Sequence, residues 1–294
     1  MTTEDSSIIK KIFFDSWQNN FFKFSVIFFI LICLFAFIYP EISAIKAEKM
    51  NIKSKFLPPI FFEGFSWTHI LGTDQLGRDM LMRCLVGLRF SLIIGFASVF
   101  IMLLFGCLIG IISGFKSSWV DVIIMRITDA QLSIPMVILA ISILGVSRPN
   151  LASIILVLAL SGWPLYARVS RSMALIERDK EYVRGARILG ANDFRIIFFL
   201  VVPIILPPIA FVSVLDIARM MIFEAILGFL GLGVQPPTPT FGNIIADARK
   251  YLINAWWIAT MPGVFLVITL VTLNFIGSTP VSYTHLRAHE TLPY

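Results

Sequence analysis

Long runs of apolar residues dominate this 294-residue chain. A helix needs about 20 apolar residues to cross the roughly 30 Å hydrocarbon core of a bilayer. Because lipid offers no hydrogen-bond partners to the backbone, such segments must be helical. Windows of this kind are found at Phe22–Tyr39, Phe90–Phe115, Val122–Val146, Leu151–Ala167, Ile196–Leu227 and Ala255–Ile276. The sequence therefore predicts an all-α membrane protein with about six transmembrane helices.

The composition excludes several other classes of protein. Hydrophobic residues make up 57% of the chain and charged residues 14%, whereas soluble domains are about one quarter charged. The net charge of +6 arises from basic residues in short segments between apolar runs. Such residues set membrane topology and face anionic lipid, so we expect membrane lipid and no nucleic acid as a partner.

The basic segment from Arg168 to Arg195 predicts the orientation, because short arginine-rich and lysine-rich connections stay in the cytoplasm. Counting spans from it places the N-terminus and the C-terminus in the cytoplasm. The predicted organisation is a cytoplasmic N-terminus (1–21), a first transmembrane helix (22–39), an external segment (40–88), a core with five transmembrane helices (89–277) and an atypical C-terminal tail (278–294).

Small residues and prolines indicate close packing and bent helices. Gly106, Gly110 and Gly114 form two overlapping small-xxx-small steps, which predict an interior helix whose backbone approaches another helix closely. The third span is interrupted by Arg126 and Asp129. Prolines, which remove a backbone donor and favour kinks, lie in or near the spans at Pro135, Pro164, Pro207, Pro208 and Pro262.

Ionisable residues within spans are candidates for a translocation path, because a charge in lipid is costly unless it is paired or hydrated. The candidate path residues, with one serine, are Asp129, Ser133, Asp216, Arg219 and Glu224. Asp216 and Arg219 are three residues apart on one helix, so they could neutralise each other. The sequence leaves this pairing and a pore-lining role equally open.

No catalytic or metal site is predicted. The chain has no nucleophile elbow or zinc-binding motif, and its acidic residues are scattered. Cys33, Cys84 and Cys107 show no disulfide or metal-ligand spacing, and His285 and His289 lie in the atypical tail.

The segment from Ile176 to Asp193 is predicted to form a short amphipathic helix between two spans. Tyr182, Ala186 and Leu189 lie on one stripe, flanked by Val183. Gly190 is suited to end this helix in a left-handed conformation, and Asn192 or Asp193 to cap the next one. Such a helix either lies on lipid or fits a groove in a soluble partner.

A longer pattern around this helix resembles the signature of the membrane subunits of bacterial ABC importers. That signature is Glu-Ala-Ala, three residues, Gly, nine residues, two spaced aliphatic residues and Pro. Here Arg184-Gly185-Ala186, Gly190, Leu200, Val202 and Pro203 occupy those places, with Arg for Glu and Gly for the first Ala.

Further motifs resemble the peptide and nickel importers, and specifically the second of their two permeases. These motifs are His69–Asp79 (HILGTDQLGRD), Glu181-Tyr182-Val183, Phe229–Pro239 (FLGLGVQPPTP), Ala255-Trp256-Trp257 and Pro262-Gly263. The resemblance extends from the first span to Gly277, after which the tail from Ser278 to Tyr294 departs from the family's usual ending.

This resemblance implies a type I ABC importer permease fold in the bacterial inner membrane. It also implies a sister permease, two cytoplasmic ATPase subunits that bind ATP and Mg²⁺, and an extracytoplasmic substrate-binding protein. The chain has no phosphate-binding Gly-Lys-Ser/Thr loop, so ATP hydrolysis is expected in the partners and no cofactor in this chain. The implied ATPase-coupling residues are Glu181, Tyr182, Val183, Arg184, Gly185, Ala186, Arg187, Leu189, Gly190 and Ala191, with Pro203 at the end of the signature.

The expected substrate is a dipeptide or oligopeptide, with nickel as the second choice. Two other classes of function stay open, namely an ion-gradient-driven secondary transporter and a non-transporting membrane assembly protein. A secondary transporter would commonly show repeated halves, and no such repeat is seen in the sequence. An assembly protein would need no ATPase-docking segment.

Overall fold

The structure is a computed structural model that describes residues 17–116, 119–146 and 149–290, with side chains up to residue 279. The helices are α1 (Asn20–Ile42), α2 (Met80–Lys116), α3 (Trp119–Leu132), α4 (Met136–Leu144), α5 (Leu151–Arg178), α6 (Glu181–Ile188), α7 (Asp193–Ile196), α8 (Val202–Phe229), α9 (Phe241–Ala248) and α10 (Trp257–Glu290). A π-helical turn, Ile197–Val201, joins α7 to α8. Within the described ranges, five helical segments are long and apolar enough to cross a membrane, or six spans if the bent pair α3 and α4 is counted as one.

Helices α2 and α5 form the centre of the fold, and glycines allow their close approach. A Cβ atom on Gly110 would lie 2.1 Å from Ser170 Oγ and 2.2 Å from the Ala167 carbonyl oxygen. Gly106 and Gly114 face α5 in the same way, with the nearest atoms at 2.6 Å. The predicted interior helix with a small-residue face is therefore confirmed.

The third span, predicted at Val122–Val146, is bent next to Pro135, one of the prolines that predict kinks in the spans. Helices α3 and α4 meet at an angle of 86° across the residues around Ser133 and Pro135. Pro135 is the N-cap residue of α4, a position where the missing N–H costs no helical hydrogen bond. A proline that breaks a span in this way leaves a helix end at membrane depth.

Three other spans extend beyond their predicted ends. Helix α2 begins at Met80, inside the segment predicted to be external, and α5 continues to Arg178 instead of ending at Ala167. Arg168 and Arg171, which were interpreted as residues of a cytoplasmic connection, thus lie on a helix. Helix α10 continues through the atypical tail to Glu290.

Helices α1, α8 and α10 surround the centre. The end of α1 is joined to α2 by an ion pair of 2.6 Å between Glu41 Oε1 and Arg89 Nη1. Helix α8 packs against α2, α5, α9 and α10. Gly228 on α8 and Gly242 on α9 touch, because a Cβ on Gly228 would lie 2.9 Å from the Gly242 Cα.

The segment Phe229–Pro239 connects α8 to α9 through a defined turn. Helix α8 ends where Gly231, at φ +83°, donates to the Gly228 carbonyl and Leu232 donates to the Leu227 carbonyl. A capping box between Thr240 and Asn243 then begins α9. The sequence motif here is thus explained by local helix-end geometry.

Some expectations fall outside the described residues. They concern residues 1–16 of the predicted cytoplasmic N-terminus, the end of the tail at 291–294, and the side chains of His285 and His289.

Candidate functional site

One face of helix α6 packs against the end of the helical bundle. Val183 is fully buried, and Ala186 packs against the same hydrophobic core. The opposite side is open, with Ile188 86% exposed and Leu189 89% exposed. A large exposed apolar pair at the tip of a short helix is a surface suited to a partner groove.

Gly190 ends α6 as predicted. It adopts φ +84°, and its N–H donates to the Arg187 carbonyl at 3.0 Å. The Ala191 N–H donates to the Ala186 carbonyl at 3.0 Å, which completes a Schellman motif. Asn192 then caps α7 by accepting from the Arg195 N–H at 2.9 Å. Gly190 is therefore required for backbone conformation, since no atom lies within 4 Å of where its Cβ would be.

Polar contacts tie α6 to the ends of α5 and α2. Tyr182 donates to Glu177 Oε2 at 2.7 Å, and Lys180 pairs with Glu177 Oε1 at 2.7 Å. The Arg187 guanidinium lies 5.0 Å from the centre of the Phe115 ring. Helix α6 is therefore in contact with both helices.

The predicted apolar stripe of α6 is not one exposed face. Ala186 is half-buried and Tyr182, 38% exposed, is bonded to Glu177, so Leu189 is the most exposed residue of the stripe. Ile188 was not among the predicted coupling residues, although it is as exposed as Leu189. Helix direction decides this difference, because the last residues of α6 project past the end of the bundle.

The remaining members of the predicted segment are placed as follows. Glu181 opens the first turn of α6, Arg184 is exposed, and Gly185 has open space around its Cβ position. Pro203 is exposed near the start of α8, directly after the π-helical turn. Pro203 has no N–H to donate to the preceding turn. This missing donor is a physical cause for the π-helical hydrogen bonding of Ile197–Val201.

Asp216 and Arg219 pair within α8, as the sequence allowed. Asp216 Oδ1 lies 2.8 Å from Arg219 Nη2, and Tyr166 of α5 donates to Asp216 Oδ2 at 2.6 Å. Asp216 is nearly buried, whereas the Arg219 side chain is 43% exposed. A half-exposed guanidinium inside a span must face water or protein, because exposure to lipid would be costly. Tyr166 was not identified from the sequence.

Glu224 lies one to two turns further along α8 and is fully buried. Its Oε2 accepts a hydrogen bond from Ser91 of α2 at 2.6 Å. This contact joins the N-terminal half of α2 to the C-terminal half of α8, so Glu224 is placed between helices and not on an open surface.

Asp129 and Ser133 lie at the bend of the third span. Asp129 Oδ1 is 2.6 Å from Arg168 Nη2 of α5, and both side chains are about half exposed. Ser133 bonds to the Ala130 carbonyl. Gln131 bonds to Trp163 Nε1 at 3.1 Å, which adds a further polar contact between α3 and α5.

Three of the candidate path residues, Asp129, Asp216 and Glu224, therefore make separate contacts between helices. One joins α5 to α8, one joins α2 to α8, and one joins α3 to α5. The sequence analysis did not identify a further ion pair, between Asp121 and Arg171. The Arg171 guanidinium donates two hydrogen bonds of 2.5 and 2.6 Å to the Asp121 carboxylate. An arginine in an apparent loop and an aspartate at a span end gave no signal of this long-range contact.

An apolar cavity of about 350 Å³ lies between α2 and α5, away from these pairs. It is lined by Ile101, Phe105, Ile109, Leu156, Ala159, Leu160 and Trp163. Such a lining suits hydrocarbon and not a charged or polar solute.

The motif His69–Asp79 folds into a buried cluster of ion pairs. Asp74 is fully buried and binds both Arg78 and Arg83, with Arg78 Nε at 2.6 Å. The two arginines also lie 3.6 and 3.5 Å from Asp247 at the end of α9. The Trp257 indole donates to the Thr73 carbonyl at 3.0 Å. This motif therefore fastens the segment before α2 to α9 and to the start of α10.

Several apolar spans, charge pairs within them and an amphipathic helix between two spans are typical of membrane transport components. The family described as binding-protein-dependent transport system inner membrane component matches residues 106–287. That range includes part of the atypical tail.

Curated relatives match over most of their length. The di/tripeptide transport system permease protein DppC of Pseudomonas aeruginosa is 34% identical over 91% of this chain and 88% of its own. The dipeptide transport system permease protein DppC of Haemophilus influenzae is 31% identical over 94% of each chain. The probable D,D-dipeptide transport system permease protein DdpC of Escherichia coli is 33% identical over 86% of this chain.

Solved structures confirm the fold. Two inward-facing structures of the MetNI methionine ABC transporter match with TM-scores of 0.56 and 0.55 at 19% and 21% identity. Each match covers 69% of this chain, and 97% and 95% of the matched chains.

The chain belongs to the binding-protein-dependent transport system inner membrane components, and within them to the ABC importer permeases of the dipeptide and oligopeptide type. The expected type I importer permease fold and the role as a transport component of the inner membrane are thereby confirmed.

Proposed function

We propose that this chain forms half of the translocation path of a peptide importer and that α6 couples it to a cytoplasmic ATPase. The observation that carries the proposal is the exposed pair Ile188 and Leu189 on a helix whose other contacts fix it to α5 and α2. The names of the relatives, which describe dipeptide or di/tripeptide transport, support a peptide substrate, with nickel as the second choice.

In this proposal the end of the bundle that carries α6 is cytoplasmic, as are both termini. Two ATPase subunits, which bind ATP and Mg²⁺, dock on α6 and on its counterpart in a sister permease. ATP binding brings the ATPases together and moves α6, and the contacts of Tyr182 and Arg187 pass this displacement to α5 and α2. A substrate-binding protein delivers the peptide on the opposite side.

The path in this proposal is bordered by two charge pairs, one with both side chains half exposed and one in which only the arginine is exposed. Asp129 with Arg168, and Asp216 with Arg219, present charge inside the membrane where lipid contact is unfavourable. A zwitterionic peptide would be compatible with such a lining, since each pair contains one positive and one negative group. Ser133 and Glu224 are assigned to the bend of the third span and to the contact between α2 and α8.

The decisive experiment places a charge on the tip of α6. We expect Leu189→Asp and Ile188→Asp each to reduce recovery of the ATPase with the affinity-purified chain by at least about tenfold, because an unpaired charge would be buried at the contact. Ile52→Asp is the matched control, since Ile52 is also an exposed isoleucine but lies in the segment before α2. Transport of a labelled dipeptide should fall in parallel with ATPase recovery.

Two substitutions at Gly190 distinguish a requirement for its left-handed backbone conformation from a requirement for a small side chain. Gly190→Asn keeps a residue that tolerates a left-handed conformation, whereas Gly190→Val does not. We expect Asn to retain ATPase binding and Val to lose it. Unchanged ATPase recovery and transport in the Leu189, Ile188 and Gly190→Val variants would refute coupling through α6. Purification of the chain without any ATPase in mild detergent would also count against docking of an ATPase on α6.

A further inference from the structure

The segment before α2 projects a structured aromatic loop, residues 60–70. Its ends are joined by a hydrogen bond of 2.9 Å from the Ile60 N–H to the Ile70 carbonyl. Its base is fixed to Thr73, whose Oγ1 accepts from the Leu57 N–H at 2.9 Å and whose N–H donates to the Leu57 carbonyl. The loop is thus held in place by the motif His69–Asp79 and its buried ion pairs.

The loop exposes large apolar side chains. Phe61 is 91% exposed and Trp67 is 75% exposed, and Phe62 and Ile70 are also open. Phe61 has φ +79°, a conformation that residues other than glycine adopt at a cost. The backbone therefore holds a bulky aromatic side chain outward at the expense of local strain, which argues that the exposed side chain has a partner.

The start of α10 indicates the depth of this loop. Trp256 directly precedes α10, which begins at Trp257 and spans the membrane, so Trp256 is placed at the level of the membrane surface. The Phe62 ring lies 5.7 Å from the Trp256 ring, which places the loop at the same level. Ile253, which is almost fully exposed in the preceding turn, adds to this apolar surface.

We infer that the aromatic loop, together with Ile253 and Trp256, inserts into the headgroup region of the adjacent lipid leaflet and anchors the segment before α2 to the membrane surface. Tryptophan is enriched at membrane interfaces because its ring combines an apolar body with a polar N–H, and the phenylalanines of the loop add apolar area beside Trp67. The loop carries little charge, since it contains Glu63 and a histidine, His69, that is paired with Asp79 at 2.8 Å. Continuity with the start of a span makes lipid the occupant that this surface fits.

The test compares two probe positions in the same segment. Phe61→Cys and Lys53→Cys are introduced after replacement of Cys33, Cys84 and Cys107 by alanine, and each is labelled with the environment-sensitive fluorophore NBD. Lys53 is the matched control because it is exposed in a lysine-rich stretch of the same segment. Both proteins are purified with the subunits that accompany them and reconstituted into phosphatidylethanolamine–phosphatidylglycerol bilayers.

Lipid with a doxyl group near the headgroup should quench the Phe61 label at least about twofold more than the Lys53 label. Aqueous iodide should show the opposite order. Equal iodide quenching at both positions would place the loop in water and overturn the inference. Protection of the Phe61 label from both quenchers would show that another protein subunit covers the loop, and would overturn it as well. Trp67→Cys serves as the second probe position if Phe61→Cys does not assemble.

Discussion

Arg219 Nη2 lies 2.8 Å from Asp216 Oδ1 inside a membrane-spanning helix, and only the aspartate is buried. Tyr166 satisfies the second carboxylate oxygen, so the acid is held from two sides while the guanidinium remains partly open. The arrangement keeps a positive charge available within the membrane without leaving its counter-charge unpaired. Arginine suits this position because its planar fork can pair with Asp216 and retain further donors.

Substitutions of the two partners of this pair should not be additive. We expect Asp216→Asn and Arg219→Gln each to lower the apparent stability of the detergent-solubilised protein by about 1–3 kcal/mol, because each leaves one charge unpaired. The double variant should lose less than the sum of the two, which thermal unfolding in a double-mutant cycle measures. The comparison cycle uses Asp129→Asn and Arg168→Gln. Because the side chains of Asp129 and Arg168 are both half exposed, we expect a coupling free energy of under about 1 kcal/mol there. Simple additivity at Asp216 and Arg219 would contradict the prediction.

The contact between α2 and α5 should not tolerate one added methyl group. Gly110→Ala places a Cβ 2.1 Å from Ser170 Oγ, so the helices must separate, at a cost of about 1–3 kcal/mol. Gly263→Ala is the matched control, since Gly263 also lies in a spanning helix but has no atom within 4 Å of its Cβ position. Thermal unfolding should show a clear loss for Gly110→Ala and no loss for Gly263→Ala, because alanine has the higher helix propensity. Equal effects at the two sites would show that the close helix contact is absent.

The buried ion-pair cluster should depend on Asp74 far more than on Asp247. Asp74→Ala leaves Arg78 and Arg83 without their nearest counter-charge, and we expect a loss of about 3–5 kcal/mol or failure to fold. Asp247 lies further from both arginines and is partly exposed, so Asp247→Ala should cost under about 1 kcal/mol. Limited proteolysis of the segment before α2 provides the measurement. Asp74→Asn is the conservative variant and should show intermediate cleavage, since its amide oxygen still accepts hydrogen bonds.

Glu224 should be replaceable by glutamine but not by alanine. Glu224→Gln keeps an acceptor for the Ser91 hydroxyl, whereas Glu224→Ala removes it and leaves a cavity, at a cost of about 2–4 kcal/mol. Protein recovered from membranes and its unfolding temperature report the difference. If Glu224→Gln is well folded yet transports no dipeptide, the carboxylate acts in the path and not only in the contact between α2 and α8. Loss of folding in both variants would instead show that the charge itself is structural.

Much of the fold follows from features that are local in the sequence. The spans were predictable because apolar runs long enough to cross lipid have few alternatives to a helix. Gly190 and Asn192 were predictable as helix-end residues because capping depends on neighbours within a few positions. The coupling role assigned to the segment around them stays a proposal.

Other features were not predictable because they depend on distant residues. The part of α5 beyond Ala167 carries Arg168 and Arg171, whose acidic partners lie on α3. The orientation of Tyr182 toward Glu177, and hence the exposure of Ile188, depends on how α6 meets the bundle.

The sequence by itself determined that this chain is a helical membrane protein with a small-residue packing face and a capped helix between two spans. The tertiary structure alone decided which charges pair, where the third span bends, and which side chains of α6 and of the loop before α2 remain exposed. The physical reason is range: hydropathy and capping act over one helix or one turn, whereas ion pairs and exposure are set by residues that lie far apart in the chain and meet only in the folded protein.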